Sequence, residues 1–244
     1  EAIVDRLRFD DAPAFYFIDI QPDQVEEFER VAQAVPGVGE IERVPSLRGR
    51  IVKVGSVAAD NAPVAPDQRW VLRGDRSLTF AALPPADAEI TAGEWWPRDY
   101  RGPPVISMGE EAARGLGLGV SDTLTVNVLG REIEARIANL RRIDWSDLGL
   151  NFVLIFAPGT LEQAPHSYIA TVKAQGAAEE AVYRVITDRF ANVSAIRMKE
   201  VLQQIDLVLT NIAFAVRTAA AVTLVAGTLV LAGAIVAGHR RRVR

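Results

Sequence analysis

Hydrophobic and polar residues near the start of the chain follow a strand–helix–strand pattern. Aromatic and β-branched side chains fill 15–20, which predicts a strand. Apolar residues then recur at helical spacing from Val25 to Val35, between Pro22 and Pro36. Two strand-like segments follow at 38–44 and 50–54. This part of the chain is therefore predicted to form a β-α-β unit.

The same pattern returns more than a hundred residues later. A strand is predicted at 168–172, an amphipathic helix through 181–190 and a second strand at 193–197. Two such units can pair their strands into one sheet with both helices on one face. Two unrelated α/β pieces remain the alternative.

The region between the units, 60–165, predicts an inserted β-rich subdomain. Its clearest feature is a hairpin, in which apolar and polar residues alternate at 123–128 and 132–137 around a turn at Gly130. A short helix at 109–117 and a buried strand at 152–156 accompany this hairpin.

A helical stalk and a membrane span are predicted after residue 198. The stalk carries an apolar face on one side. The segment 218–238 contains no charged residue, and at the helical rise its length matches the bilayer core of about 30 Å. The alternative interpretation of 218–238 is a buried core helix of a soluble protein. The stalk face comprises Val201, Ile205, Val208 and Ile212.

The arginines after the span place its C-terminal end in the cytoplasm, and everything before it outside. These topology anchors are Arg240, Arg241, Arg242 and Arg244. Small residues near that end let helix backbones approach closely, so we expect a packing face against another membrane helix. That face comprises Gly227, Gly233, Ala234, Ala237 and Gly238.

The predicted fold class is α+β, a split β-α-β/β-α-β domain with an inserted β-rich subdomain, followed by a stalk and one transmembrane helix. The predicted segments are 1–59 and 166–198 (the two halves of the split domain), 60–165 (insertion), 199–217 (stalk), 218–238 (transmembrane helix) and 239–244 (cytoplasmic flank).

The composition of the chain limits the partners and the chemistry that it can have. The net charge of −4 argues against nucleic acid, which requires a concentrated basic face. The absence of cysteine excludes disulfides and thiolate chemistry. The chain opens at Glu1 without Met or a signal peptide, so an exterior domain with a C-terminal span leads us to expect an internal fragment with another span before it.

Residues that could carry catalysis are few. The two histidines, His166 and His239, do not have metal-ligand spacing, and Ser107 lacks the first glycine of a nucleophile elbow. The glycines of 115–119 do not match the dinucleotide pattern. We therefore predict no catalytic, cofactor-binding or metal site, with a His166-based serine hydrolase left as an alternative.

Aromatic residues offer a second candidate surface. Trp95, Trp96 and Tyr100 cluster in the insertion, and Trp145 precedes a loop. Such clusters bind apolar ligands or partner proteins, but they equally serve as the core of a β subdomain. The sequence leaves both interpretations open.

Taken together, these elements resemble the periplasmic domain of FtsX-like ABC transporter permeases of the MacB/Lol class. The segment 104–126 is similar to a recurring sequence of that class, with Ser121 where glycine is usual. Further segments resemble the subfamily of permeases encoded beside a periplasmic esterase or lysophospholipase. These segments are 70–76, 93–96, 143–152 and 156–159.

The resemblance implies a permease subunit without chemistry of its own in the bacterial inner membrane, with residues 1 to about 212 in the periplasm. ATP would be bound and hydrolysed by a separate cytoplasmic ATPase subunit. The periplasmic domain would extract or export a lipid, lipoprotein or other hydrophobic cargo, with membrane lipid and an esterase-like protein as further partners. A membrane-anchored receptor or scaffold without transport activity is the alternative function.

Overall fold

Both predicted β-α-β units are present in the computed structural model, which describes residues 13–86, 88–145, 149–201 and 212–220. The chain divides into two units, Glu1–Ile196 and Arg197–Arg244. The strands are β1 (Phe15–Ile20), β2 (Val38–Val54), β3 (Val57–Ala58), β4 (Arg76–Phe80), β5 (Glu89–Gly93), β6 (Val105–Gly109), β7 (Thr123–Val128), β8 (Arg131–Arg142), β9 (Leu154–Phe156), β10 (Ser167–Ala174) and β11 (Ser194–Arg197). The α-helices are α1 (Val25–Gln33), α2 (Glu110–Gly115) and α3 (Ala177–Arg189), and two 3-10 helices span Ala59–Asn61 and Pro66–Leu72.

The two β-α-β units combine into one sheet in the order β11-β1-β10-β2. β10 pairs antiparallel with both β1 and β2, so a strand from the second unit lies between the two strands of the first. This is the split β-α-β arrangement, and it confirms the α+β fold class.

Helices α1 and α3 cover one face of this sheet and share a core with it. Phe28 of α1 lies edge-on to Phe17 of β1 at 5.2 Å between ring centroids, and 6.1 Å from Phe190 after α3. Val182 and Ile186 of α3 are fully buried in the same core. These side chains come from both ends of the Glu1–Ile196 unit, and their burial in one hydrophobic core stabilises the contact between the two ends.

The predicted strands at 38–44 and 50–54 are one continuous strand, β2, so their separation was wrong. Pro45 and Gly49 lie between the two predicted segments, and both are paired: Pro45 lies opposite Tyr168 of β10 and Gly49 lies opposite Arg76 of β4. Up to Ser46, β2 pairs with β10, and from Leu47 it pairs with β4 and then β7. We call β11, β1, β10 and 38–46 the four-stranded part, and the remaining strands with 47–54 the insertion part.

The insertion part extends from β2 in the order β4-β9-β6-β8-β5, with β7 pairing with both β2 and β8. The predicted hairpin is confirmed as β7 and β8, in which Leu124 lies opposite Ala135. At its turn Gly130 has φ 89°, and its N–H donates to Asn127 Oδ1 at 3.0 Å. The apolar side chains of the hairpin are buried against β2, β6 and α2 in a second core. The hairpin residues in that core are Leu124, Val126, Val128, Ile133, Ala135 and Ile137.

In the second unit, residues 198–201 and 212–220 are helical. Within 212–220, Thr218 Oγ1 donates to Phe214 O at 2.8 Å. Within the described ranges, no helix has both the length and the hydropathy needed to cross a bilayer. Most of the predicted transmembrane helix, 221–238, and the cytoplasmic flank lie outside the described residues.

Gly93, at the end of β5, is expected to be the glycine least tolerant of substitution in the insertion part. It has φ 74°, and an added Cβ would lie 2.2 Å from Ala138 O of β8. Gly93→Ala should therefore lower the free energy of unfolding by about 2–4 kcal/mol, because backbone strain and the clash add. The measurement is urea unfolding followed by circular dichroism.

The matched control for Gly93 is Gly74→Ala. Gly74 has a similar φ of 71°, but an added Cβ would have no atom within 4 Å. This variant reports the backbone strain alone, about 1 kcal/mol. Equal losses in the two variants would contradict a role for the close approach to Ala138.

Candidate functional site

The residues predicted for membrane packing and topology, Gly227 to Arg244, lie outside the residues that the structure describes. Of the stalk face, Val201 and Ile212 are described and exposed, at 36% and 55%. Ile205 and Val208 also lie outside the described residues. The stalk face, the packing face and the anchors therefore stay predictions.

The aromatic cluster at 95–100 serves as core. Trp96 is buried, and its Nε1–H donates to Ala81 O at 2.9 Å. Trp95 packs against it with the rings tilted, at 4.2 Å between ring centroids, and its Nε1–H donates to Ala82 O at 3.2 Å. With both indole N–H groups bonded to the backbone, these tryptophans anchor the loop after β4.

Two other tryptophans form an exposed pair. Trp145 is 51% exposed and lies edge-on to Trp70, 38% exposed, at 6.3 Å between ring centroids. The Arg76 guanidinium stacks on Trp70 at 5.1 Å and donates to the backbone oxygens of Trp70 and Arg73. The pair borders a cleft of about 320 Å³ that also includes Glu110.

A larger cleft, about 470 Å³ in volume, lies between the two parts of the sheet, and we call it the inter-sheet cleft. One wall is the helix-free face of the four-stranded part, where Thr171 of β10 lies beside Glu42 of β2. The other wall comes from the end of β8 and the segment around Leu150. Tyr16 Oη on β1 donates to Gly149 O at 3.1 Å and connects the two walls.

Buried polar side chains concentrate between the two parts of the sheet. Ser107 of β6 lies opposite Asn139 of β8 and Ile155 of β9, and Ile155 lies opposite Thr79 of β4. Paired residues point to the same face of a sheet. The face opposite the hydrophobic core of the insertion therefore carries a row of polar groups. Thr79, Ser107, Asn139 and Arg141 on this face, and Thr171 on the facing wall, are buried.

Two atoms of this row have no hydrogen-bond partner among the described residues, Thr79 Oγ1 and Asn139 Oδ1. Asn139 Nδ2 donates to Glu94 O at 3.2 Å, so the nitrogen of this side-chain amide has a partner while its oxygen does not. Buried polar atoms in native proteins are almost always paired with protein or water. These two oxygen atoms are therefore available for further hydrogen bonds.

Arg141 is the buried charge of the site, with 3% of its surface exposed. Its Nη1 donates to Ser107 O and Ser107 Oγ, both at 3.3 Å, and its Nη2 donates to Phe152 O. Desolvation by burial lowers the pKa of Arg141 to about 10, which leaves the guanidinium protonated at neutral pH. A buried cation is therefore held by neutral acceptors.

The other basic side chains of the cleft are paired with carboxylates. Lys173 Nζ lies 3.0 Å from Glu40 Oε2, and Arg142 Nη1 lies 2.5 Å from Glu89 Oε2. Among the ion pairs of the described residues, none includes Arg141. Of the basic side chains that line the cleft, Arg141 is thus the one without an ion pair among the described residues.

The alternative of a His166-based hydrolase has little geometric support. His166 Nδ1 is 2.8 Å from Ala164 O, and its ring packs between Phe80 and Tyr168 at 5.4 and 5.5 Å. Ser107 is fully buried and accepts a hydrogen bond from Arg141. Among the described residues, no group of His, Asp and Glu has the arrangement of a metal site.

Comparison with known proteins adds one informative similarity. The chain is 24% identical over 232 residues to an uncharacterised ABC transporter permease, YbbP, of Escherichia coli K12. The alignment covers 95% of this chain and 27% of that permease, so the chain spans about a quarter of the length of this relative. No family model matches the chain.

Among solved structures, a domain assigned to a permease of Porphyromonas gingivalis is similar over 74% of this chain and 86% of that domain. The two are 13% identical with a TM-score of 0.35, a likeness too weak to support any inference. The similarity that bears on function is therefore that to the Escherichia coli protein: almost the whole chain is similar to part of an ABC transporter permease.

Proposed function

We propose that this chain is the exterior domain and first following membrane helix of an ABC transporter permease subunit. The observation that carries the proposal is the alignment with an ABC transporter permease over 95% of the chain. An alignment of this coverage includes both units, Glu1–Ile196 and Arg197–Arg244, rather than one local motif.

In the proposed mechanism a separate cytoplasmic ATPase subunit binds and hydrolyses ATP. The helix from about 199 to 238 transmits the resulting movement to the Glu1–Ile196 unit. The uncharged segment 218–238 and the arginines behind it support the orientation in which the Glu1–Ile196 unit lies in the periplasm. The FtsX-like, MacB/Lol-type class is the permease class that fits this arrangement.

We further propose that the cargo is a lipid, lipoprotein or other hydrophobic molecule taken from the membrane or periplasm. The split α+β domain with its β-rich insertion matches what the resemblance implies for such a permease. A periplasmic esterase-like protein is the proposed accessory partner. If instead the domain were a passive receptor, it would have no dependence on ATP hydrolysis.

Purification of the full-length protein from native membranes in a mild detergent tests the proposal. An ABC ATPase should co-purify in fixed stoichiometry, and the complex should hydrolyse ATP. Replacing the phosphate-binding lysine of that ATPase should abolish the hydrolysis while leaving the complex intact. Isolation of the full-length protein without an ATPase, or with hydrolysis unaffected by that replacement, would contradict the proposal.

The topology gives a separate prediction. Ser77 on β4 is exposed, and Val243 lies in the basic flank. In intact spheroplasts an impermeant thiol reagent should label Ser77→Cys but not Val243→Cys, because arginine-rich flanks stay in the cytoplasm. Permeabilised cells, in which both should react, are the control. Labelling of Val243→Cys alone in intact spheroplasts would reverse the orientation.

A further inference from the structure

The inter-sheet cleft contains a cation with unused hydrogen-bond donors. A guanidinium has five N–H groups, and Arg141 uses three hydrogen bonds, two to Ser107 and one to Phe152. Within the described part of the chain, its Nε–H and one N–H of Nη2 are therefore left over. The remaining N–H groups lie on two adjacent nitrogens of the planar group, and guanidinium N–H groups of this kind bind carboxylates and phosphates.

Burial makes this edge selective for an anion. The desolvation of Arg141 is offset by neutral acceptors alone, and its ion-pairing capacity is unused in the described residues. An anionic group that entered the cleft would therefore gain a charge-assisted contact in a poorly solvated place, where such contacts are strongest. The neighbouring Lys173–Glu40 and Arg142–Glu89 pairs are already neutral as pairs.

The remaining lining adds an apolar component. Ile143, Leu150, Phe152 and Ile155 contribute to the cleft from the insertion part. A volume of about 470 Å³ lies within the range of small-ligand sites. Small-ligand sites combine apolar walls with placed polar groups, and this cleft has both, since charged side chains, among them Glu42 and Asp144, line it beside the apolar ones.

We propose that the inter-sheet cleft binds an anionic amphiphile, whose single phosphate or carboxylate group contacts Arg141 and whose apolar portion lies against Ile143, Leu150 and Phe152. The site belongs to the Glu1–Ile196 unit, and its ligand binding does not depend on the proposed transport activity.

Isothermal titration of the full-length protein in a neutral detergent tests this site with three probes. Hexyl phosphate carries both the anion and the apolar portion, inorganic phosphate carries the anion alone, and hexanol carries the apolar portion alone. Hexyl phosphate should bind saturably and at least about tenfold more tightly than either of the others, because each part contributes contacts that the other lacks. Equal affinity for inorganic phosphate and hexyl phosphate would overturn the assignment of an amphiphile.

The variant Arg141→Lys keeps the charge and removes the bidentate edge, and it should weaken hexyl phosphate binding about tenfold. Arg131→Gln is the matched control, because Arg131 is exposed at the start of β8 and does not line the cleft. The near-UV circular dichroism of the tryptophans shows whether each variant keeps its tertiary fold. Unchanged binding in folded Arg141→Lys would overturn the proposal.

A second variant keeps the test valid if Arg141→Lys fails to fold. Ala86 is exposed and lines the cleft, so Ala86→Asp adds a negative charge without disturbing a core. Like-charge repulsion should weaken hexyl phosphate binding several-fold, and Ala86→Lys should strengthen it. Equal binding by the two Ala86 variants would place the anion elsewhere and overturn the proposal.

Discussion

Inserting Gly-Gly after Asn211 is expected to abolish transport while the partner ATPase continues to hydrolyse ATP. No Pro or Gly interrupts 199–226, and the described residues on both sides of the insertion point, 198–201 and 212–220, are helical. A continuous helix transmits a displacement, whereas two glycines introduce a flexible joint that absorbs it. The readouts are ATP hydrolysis by the purified complex and complementation of a strain that lacks the gene.

An Ala-Ala insertion at the same point is the matched control. It adds the same length and the same rotation but keeps high helix propensity. Transport should therefore be better preserved with Ala-Ala than with Gly-Gly. If the Gly-Gly variant retained both hydrolysis and transport, the helix would be a tether and not a lever.

Phe28→Ala is expected to lower the free energy of unfolding of the chain by about 3–5 kcal/mol, the usual cost of removing a buried phenyl ring. Phe28 is fully buried between Phe17 of β1 and Phe190 after α3. Truncation would open a cavity where the two β-α-β units meet, so the surrounding rings could close it only in part. Urea unfolding followed by far-UV circular dichroism measures the loss.

The control for this loss is Leu83→Ala, which removes an apolar side chain that is 57% exposed in the loop after β4. Its effect should stay within about 0.5 kcal/mol. If Phe28→Ala changed stability as little as Leu83→Ala does, the two units would not share one cooperative core.

The fold was largely predictable where one face of an element is buried and the other is not. In the β7–β8 hairpin, strict alternation marked Leu124, Val126 and Ile133 as core, and all three are buried. The pairing of the two β-α-β units followed from their matching pattern. In contrast, the helical periodicity of 181–190 counts Val185 among its apolar positions, and Val185 on α3 is 40% exposed, because periodicity alone did not fix the width of the buried face.

The cleft was not predictable, and a β-bulge is the reason. Ile106 lies opposite Ile137, but the next residue, Ser107, lies opposite Asn139, so Ala138 is an extra residue in β8. Neighbouring residues of β6 point to opposite faces, and the bulge therefore turns Asn139 and the later Arg141 away from the face that Ile137 shares with the core. Alternation alone would have placed all three on one face.

Ser121 has a backbone conformation that glycine adopts more readily than serine. The recurring segment of the permease class has glycine where this chain has Ser121. In the structure Ser121 has φ 78°, in the left-handed region that favours glycine. The turn before β7 therefore has a backbone conformation that glycine would adopt without strain.

ATP-driven movement of the Glu1–Ile196 unit is tested most directly by a distance measurement between the two units. The 244 residues contain no cysteine, so Ser77→Cys and Val216→Cys provide two defined sites for spin labels, and both positions are exposed. In the complex with the ATPase, the distribution of label-to-label distances should shift by several ångströms when ATP is bound without hydrolysis, and it should return with ADP. A pair within the first unit, Ser77→Cys with Leu129→Cys, should not shift. An unchanged Ser77–Val216 distribution with ATP would contradict the proposed transmission of movement.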